Sequence, residues 1–226
     1  MFGRVVFMLA CVLMFLPVAV SGQRASTTPK PEPSKINARP TETPQIVSEP
    51  FDKADIKMMA AKCIRLETEA GEIEFELYPE SAPETVRNFL NLASTGAFDT
   101  TTFSRIVPGF VIQGGNISTR ESGYTNELAL RARRTIPDEP NKILHERGIV
   151  SMARPDEPNK ASTHFFILVD SAASLDGKYA AFGRVTKGMS IVDAINKAPV
   201  EGEKPVKPVR IKKVLVVNCT QLTKAL

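Results

Sequence analysis

The 226-residue sequence contains no tryptophan, only two histidines and three cysteines, and little net charge. The histidines and cysteines lack the spacing of a zinc site or of a thioredoxin-type centre, so we expect neither a metal nor a redox function. A net charge of +4 is too weak to indicate nucleic acid as a partner. A Walker loop, a GxGxxG loop, a GxSxG elbow and an HExxH motif are missing, which disfavours kinases, dehydrogenases and hydrolases.

Long apolar runs are also scarce, and the one that exists lies at the N-terminus. Val5 to Val20 is continuously apolar but includes Pro17, and it is shorter than the roughly twenty residues of a membrane span. Arg4 precedes it, and its end overlaps the small residues of Ala19 to Gly22. This pattern predicts a signal peptide over residues 1–22, although an uncleaved anchor is the alternative. We expect an exported protein, periplasmic or otherwise extracytoplasmic, with no stable membrane span after cleavage.

The next segment, residues 23–50, contains six prolines and no aromatic residue. It cannot bury enough apolar surface to fold, which predicts a flexible linker before a folded domain at residues 51–226. Two cysteines remain in that domain, Cys63 and Cys219, one near each end. In an oxidising compartment they could form a disulfide, and two separate buried thiols are the alternative.

Apolar periodicity in the domain predicts eight strands and two helices. A hairpin with strands Lys62 to Glu69 and Glu72 to Leu77 is predicted around Ala70-Gly71. Amphipathic helices are predicted after a capping box at Ser81 to Glu84 and over Gly188 to Ala198. The other predicted strands are Thr102 to Val107, Phe110 to Gln113, Gly148 to Met152, His164 to Val169, Ala180 to Val185 and Val209 to Asn218. Strands and helices do not alternate, so a doubly wound sheet is disfavoured. The pattern predicts a mainly β domain: a closed eight-stranded antiparallel barrel capped by two α-helices.

One predicted strand pair mixes cationic, amide and aromatic side chains. Strand periodicity places Phe103, Arg105 and Val107 on one face, and Val111 and Gln113 together on a face of the next strand. From the pattern alone, the simpler interpretation is that Arg105 and Gln113 lie on the solvated side of the barrel.

The same segment, Phe103 to Gly115, resembles the FHRVIPGFxxQGG motif of cyclophilin-type peptidyl-prolyl cis-trans isomerases. Further stretches are similar to this family in the same order: Ala82 to Phe89, Gly148 to Ala153 with His164 to Ile167, and Leu175 to Gly183. The resemblance extends from Lys62 to Leu222, and the short first hairpin is more similar to the bacterial, exported members.

The resemblance implies an enzyme that isomerises X-Pro bonds while exported proteins fold, with proline-containing polypeptides as partners and no cofactor. We expect a monomer. The alternative is a proline-peptide-binding module of the same fold with vestigial catalysis. A hydrolase that uses Ser104 or Ser151 with His164 has no motif behind it.

The resemblance also implies the site residues. Those implied for catalysis are Arg105, Gln113 and Phe110, and those implied for substrate binding are Val111, Ala153, Arg154, His164, Phe166, Leu175 and Tyr179. Arg154 stands where the family usually has Asn, so we expect added charge in the groove and a preference for acidic residues before proline. Ser174 stands where many eukaryotic members have Trp, which predicts weak cyclosporin inhibition.

The stretch from Ile117 to Glu146 also departs from the family, because it lacks the usual Gly-rich loop. It carries Arg131, Arg133 and Arg134 instead. We interpret it as a solvated charged loop, with a docking surface for an anionic client as the alternative.

Overall fold

A computed structural model of the chain describes residues 48–222, and its main feature is a curled antiparallel sheet of eight strands. The strands of this sheet are β1 (Lys62–Thr68), β2 (Glu72–Leu77), β3 (Arg105–Val107), β4 (Val111–Gly114), β5 (Ile149–Met152), β6 (Phe165–Leu168), β7 (Ala181–Lys187) and β10 (Ile211–Asn218). Their order is β10-β1-β2-β7-β5-β6-β4-β3. A separate hairpin is formed by β8 (Val200–Glu201) and β9 (Lys204–Pro205). The predicted signal peptide and most of the predicted linker lie outside the described residues.

The sheet is a half-barrel, so the predicted closed barrel is wrong. No ladder joins the outer strands β3 and β10, and a single bridge between Thr102 and Arg210 links the segments that precede them. The free edge of β3 is occupied by the small hairpin instead, because the Ile106 amide donates to the carbonyl oxygen of Glu203 at 2.8 Å. Covering an edge with a short hairpin satisfies its backbone groups without closing the barrel.

Both predicted helices are present, at α2 (Pro83–Ser94) and α4 (Met189–Asn196). Three shorter helices were not predicted: α1 (Ile56–Ala60), α3 (Asn126–Ala132) and α5 (Cys219–Leu222). Among residues 48–222, no helix has the length and apolar character needed to cross a membrane.

The predicted capping box at the start of α2 is wrong. Ala82 is the N-cap residue and makes no side-chain cap. The carboxylate of Glu139 takes that role, since it accepts hydrogen bonds from the amides of Glu84 and Thr85 at 2.9 and 2.7 Å. A carboxylate at a helix N-terminus satisfies free amides and complements the helix dipole.

The inner face of the half-barrel is filled by aromatic rings. Phe89 of α2 lies with its ring centroid 5.0–5.7 Å from four other phenylalanine rings, those of Phe75, Phe98, Phe165 and Phe182. Alternation along β4 and β6 sends Ile112 and Phe165 into this main core, whereas Val111 and Phe166 belong to a second apolar cluster. The outer face of the sheet therefore carries an apolar surface of its own.

The two ends of the domain are joined covalently. Cys63 on β1 and Cys219 at the start of α5 form a disulfide, which decides between the two alternatives left by the sequence. The same strands are also paired along their length, because Lys62 lies opposite Asn218 and the register continues to Leu66 opposite Val214.

The arginine-rich stretch holds the start of the domain in place rather than forming a simple solvated loop. Arg131 of α3 is only 13% exposed, and its Nε lies 2.6 Å from Oε1 of Glu49. Arg134 reaches the other oxygen of Glu49 at 3.4 Å, while Arg133 is exposed. Two of the three arginines are thus engaged within the chain itself.

Candidate active site

The outer face of β4 and β6 forms one wall of a cavity of about 580 Å³. Every site residue implied by the sequence lines this cavity: Arg105, Phe110, Val111, Gln113, Ala153, Arg154, His164, Phe166, Leu175 and Tyr179. Sequence reasoning missed four further lining residues, which are Pro155, Lys160, Ser162 and Thr163. The structure therefore brings together residues from three strands and three connecting segments.

The register of three strands places the polar centre of the cavity. Arg105 on β3 lies opposite Gln113 on β4, and Gln113 lies opposite Phe166 on β6. Residues directly opposite on antiparallel strands point to the same face and are close enough to touch. Accordingly, Nη1 of Arg105 donates to Oε1 of Gln113 at 3.2 Å. The interpretation of Arg105 and Gln113 as mere surface residues does not fit this arrangement.

Phe103 does not share the face of Arg105, contrary to the strand-periodicity prediction. It is fully buried in the main core, because regular β3 begins only at Arg105. The prediction extended the strand too far toward the N-terminus.

His164 holds the other end of the Gln113 amide. Its Nδ1 lies 3.3 Å from Nε2 of Gln113. Burial lowers the pKa of His164, so the ring is neutral at pH 7 and Nδ1 can accept this hydrogen bond. Gln113 is therefore held between Arg105 and His164.

The chain also approaches itself closely at the end of β4. Gly115 has φ of +82°, and a Cβ at this position would collide with the carbonyl oxygen of Thr163. Only glycine permits both the left-handed backbone and the close approach. The second glycine of the Gln113-Gly114-Gly115 motif thus brings the 153–164 loop onto the cavity.

The guanidinium of Arg105 has a second partner that the sequence did not reveal. Its Nε and Nη2 lie 2.6 and 3.0 Å from the two carboxylate oxygens of Glu203. This ion pair lowers the pKa of Glu203, so the carboxylate is charged at neutral pH. Glu203 follows Arg105 by 98 positions and lies in a two-residue turn, so no periodicity connects them.

The rest of the cavity wall is apolar. Val111 and Phe166 are almost fully buried, at 2% and 5% exposure, and Phe110, Leu175 and Tyr179 are half-buried beside them. The rings of Phe166 and Tyr179 meet edge to face, with centroids 6.1 Å apart. These residues belong to the second apolar cluster and not to the main core. Their side chains form an apolar slot that opens to solvent.

Arg154 lines the groove, but its charge has a partner within the chain, and the expected preference for acidic residues before proline stays a prediction. Its Nε lies 3.2 Å from Oδ2 of Asp138, and its guanidinium lies 5.2 Å from the centre of the Tyr179 ring. The neighbouring Ala153 amide is also engaged, donating to the carbonyl oxygen of His164 at 2.9 Å.

Lys160 is the less constrained cation of the cavity, because its pairing with Glu157 is exposed and spans 3.9 Å.

A serine hydrolase site is not formed. Ser151 is fully buried and donates to the carbonyl oxygen of Ala180 at 2.9 Å, and its Oγ contacts Nε2 of His145 rather than His164. Asp176 completes a Ser-His-Asp chain at 3.1 Å from Nδ1 of His145. A nucleophile without exposed surface cannot reach a substrate, and Ser104 does not line the cavity. The hydrogen bonds among Ser151, His145 and Asp176 instead connect β5 to the segment that contains Leu175.

The comparisons with known proteins agree with this geometry. Residues 63–216 match the family model described as cyclophilin type peptidyl-prolyl cis-trans isomerase/CLD. Peptidyl-prolyl cis-trans isomerase A of Dickeya dadantii (strain 3937) is 34% identical over 170 residues, which are 71% of this chain and 85% of that protein. A peptidyl-prolyl cis-trans isomerase of Arabidopsis thaliana is 37% identical over 138 residues. The matched region is 61% of this chain and 61% of that relative, so this chain spans less than two thirds of its length.

Solved structures are similar as well. The crystal structure of a cyclophilin type peptidyl-prolyl cis-trans isomerase from Cryptosporidium parvum has a TM-score of 0.61 and 29% sequence identity, and the match covers 70% of this chain and 98% of that one. The same protein was also crystallised in the presence of the dipeptide Ala-Pro.

Proposed function

This chain belongs to the family of cyclophilin-type peptidyl-prolyl cis-trans isomerases, and we propose that it catalyses X-Pro isomerisation in exported proteins, using Arg105 as the catalytic cation. The observation that carries the assignment of Arg105 is its position. The guanidinium contacts Gln113 at 3.2 Å and shares one cavity with the apolar surface of Phe166.

The reaction explains why a cation beside an apolar slot is sufficient. Rotation about an X-Pro bond has a barrier of roughly 18–20 kcal/mol, because amide resonance must be broken. No bond is made or cleaved, so a catalyst needs only to bind the twisted amide more tightly than the planar one. A hundred-thousand-fold acceleration corresponds to about 7 kcal/mol of such differential binding.

Arg105 supplies the charged part of that binding. As the bond twists, the prolyl nitrogen regains a lone pair, which accepts a hydrogen bond from a positioned donor. A guanidinium stays charged at every physiological pH and presents fixed N–H groups, so it does not depend on protonation. Gln113 fixes the plane of Arg105 on one side, and its amide is itself oriented by His164.

The proline ring is assigned to the apolar slot. One side of the cavity is lined by the side chains of Phe110, Val111, Phe166 and Leu175, and Tyr179 forms the end of the slot. Burying the ring there removes apolar surface from water and holds the amide nitrogen close to Arg105. Peptide residues before proline would lie along the 153–164 loop, which carries Ala153, Arg154 and His164.

Two features support a role outside the cytoplasm. Residues 1–22 have the composition of a signal peptide, and residues 23–50 have that of a flexible linker. The disulfide between Cys63 and Cys219 is of a kind that persists in oxidising compartments. Proline isomerisation is a slow step in folding, so an isomerase in such a compartment would accelerate the folding of newly exported chains. The enzyme itself would act as a monomer.

The catalytic assignment is tested by comparing the purified protein with Arg105→Ala in a protease-free assay of X-Pro isomerisation. We expect kcat/KM to fall by about 100-fold or more, the usual cost of losing one preorganised donor. Arg133→Ala is the matched control, because Arg133 is exposed and lies outside the cavity. Unchanged turnover in Arg105→Ala refutes the assignment, and a wild-type protein that binds proline peptides without turning them over identifies the binding module instead.

Export is tested separately in cells that produce the full chain. We expect a mature N-terminus near residue 23 and a disulfide-bonded protein in the extracytoplasmic fraction. An intact N-terminus in the membrane fraction would identify the anchor, and a cytoplasmic, reduced protein would refute export.

A further inference from the structure

We propose that Glu203, on the β8–β9 hairpin, is a positioning residue that holds the Arg105 guanidinium in its catalytic orientation. The inference rests on the proposed role of Arg105 and extends the site to a part of the chain outside the cavity lining. Both carboxylate oxygens of Glu203 are used, one on Nε at 2.6 Å and one on Nη2 at 3.0 Å. A bidentate pair of this kind fixes the plane of a guanidinium and not only its distance.

The remaining N–H groups of Arg105 are left for substrate. A guanidinium has five N–H donors, of which two are directed to Glu203 and one to Gln113. Within residues 48–222, one further hydrogen on Nη1 and one on Nη2 have no protein acceptor. Glu203 occupies the Nε edge of Arg105 and Gln113 the opposite end, so the two acceptors together restrict rotation about the terminal bonds of the side chain.

Glu203 is itself fixed to the strand that carries Arg105. The backbone carbonyl of Glu203 accepts the Ile106 amide at 2.8 Å, and Ile106 is the immediate neighbour of Arg105. The hairpin is closed by pairing of Glu201 with Lys204. The main chain of Glu203 is therefore in register with β3, which allows its carboxylate to meet the guanidinium.

The pair is better suited to orientation than to stability. The side chains of Arg105 and Glu203 are 39% and 55% exposed, and exposed ion pairs contribute little to the free energy of unfolding. A long side chain at this exposure would otherwise sample several rotamers, and ordering it during the reaction would cost free energy. Because the Glu203 carboxylate orders the Arg105 side chain before substrate binds, this free energy is not lost during the reaction.

The test is a double-mutant cycle on kcat/KM with the full chain. We expect Glu203→Ala to lower kcat/KM by about 3- to 10-fold through kcat, with KM little changed, because orientation is lost in the transition state. In an Arg105→Lys background, which keeps the charge but cannot form a two-point pair, Glu203→Ala should change the rate by less than about 2-fold. Glu201→Ala is the matched control, an exposed carboxylate on the same hairpin that should leave kcat/KM unchanged.

A spectroscopic readout separates positioning from a general structural effect. The Nε–Hε resonance of Arg105 should be ordered in the wild type and mobile on the ps–ns timescale in Glu203→Ala, while the thermal midpoints of the two proteins agree. Glu203→Gln, which keeps one acceptor oxygen, should lie between them in both rate and order.

Three results would overturn the proposal: a Glu203→Ala protein as fast as or faster than wild type, an equal loss in the Arg105→Lys background, or a loss shared by Glu201→Ala. These outcomes are distinct from failure of the proposed function. If the wild type lacks isomerase activity, or if Arg105→Ala retains it, the role of Arg105 fails first.

Discussion

The disulfide between Cys63 and Cys219 makes a prediction about stability whose magnitude follows from the structure. It joins residues 156 positions apart, nearly the full length of the folded domain. The chain-entropy relation assigns about 5 kcal/mol at 25 °C to a closed loop of that size. For a domain of this size, that free energy corresponds to a difference of about 10 to 20 °C in the unfolding midpoint.

Calorimetry of the oxidised and the reduced wild-type protein measures this difference directly. The reduced protein is the appropriate comparison because it keeps the packing of the nearly buried Cys63 side chain. A Cys63→Ser/Cys219→Ser variant serves as the control, since its midpoint should not respond to the reductant. Equal midpoints for oxidised and reduced wild type would refute the reasoning.

The same perturbation should leave catalysis intact below the unfolding transition. No residue that lines the cavity lies on β1, β10 or α5, the elements that the disulfide connects. We therefore expect the reduced protein, assayed at about 10 °C, to have the kcat/KM of the oxidised protein. A large loss of activity without unfolding would show that the chain ends are coupled to the site.

Three further predictions concern charge. Burial lowers the pKa of His145 and His164 below 6.5, so the unfolded chain binds protons first and the free energy of unfolding should decrease below about pH 6.5. Urea titrations at pH 7.5 and 5.5 should show a smaller decrease in a His145→Gln/His164→Gln variant. Glu49→Gln should lower the free energy of unfolding by about 3 kcal/mol, because it leaves Arg131 largely buried without its ion pair, and a loss near zero in a urea titration would contradict this. Peptides with Asp before proline should be turned over faster than those with Lys, and Lys160→Gln should remove most of that preference; an unchanged ratio would exclude Lys160.

β1 and β2 were predictable because apolar and polar residues alternate along them, whereas β5 and β6, which are buried on both faces, were predictable as short, mostly apolar runs between turn residues. β2 has the predicted bounds Glu72–Leu77, and the other strands of the large sheet differ by a few residues at most. Alternation is a local signal that any residue on a two-sided sheet carries. The open edge of the sheet was not predictable in this way, because the hairpin that covers β3 has strands of two residues each, too short to show a period.

The contacts of the site likewise include some that could be predicted from the sequence and some that could not. Arg105 and Gln113 lie on consecutive strands, so their pairing follows from a short turn and from the family motif. Glu203 and Asp138 contact the two cavity arginines from segments outside the strands, and the cap of α2 by Glu139 spans 55 positions. Contacts between a loop carboxylate and a residue far away in sequence depend on the assembled fold, and a single sequence carries no periodic signal for them.

Those distant carboxylates determine what the groove can recognise. Glu203 balances Arg105, and Asp138 balances Arg154, so two of the three cations of the cavity add little net charge to it. We therefore expect binding energy to come mainly from the apolar slot around Phe166, to which the ring shared by all X-Pro sequences is assigned. We expect the residue before proline to be sensed chiefly through Lys160, whose exposed ion pair is weak. Under the proposed function, we expect a groove built in this way to discriminate strongly for proline and only weakly among the residues beside it.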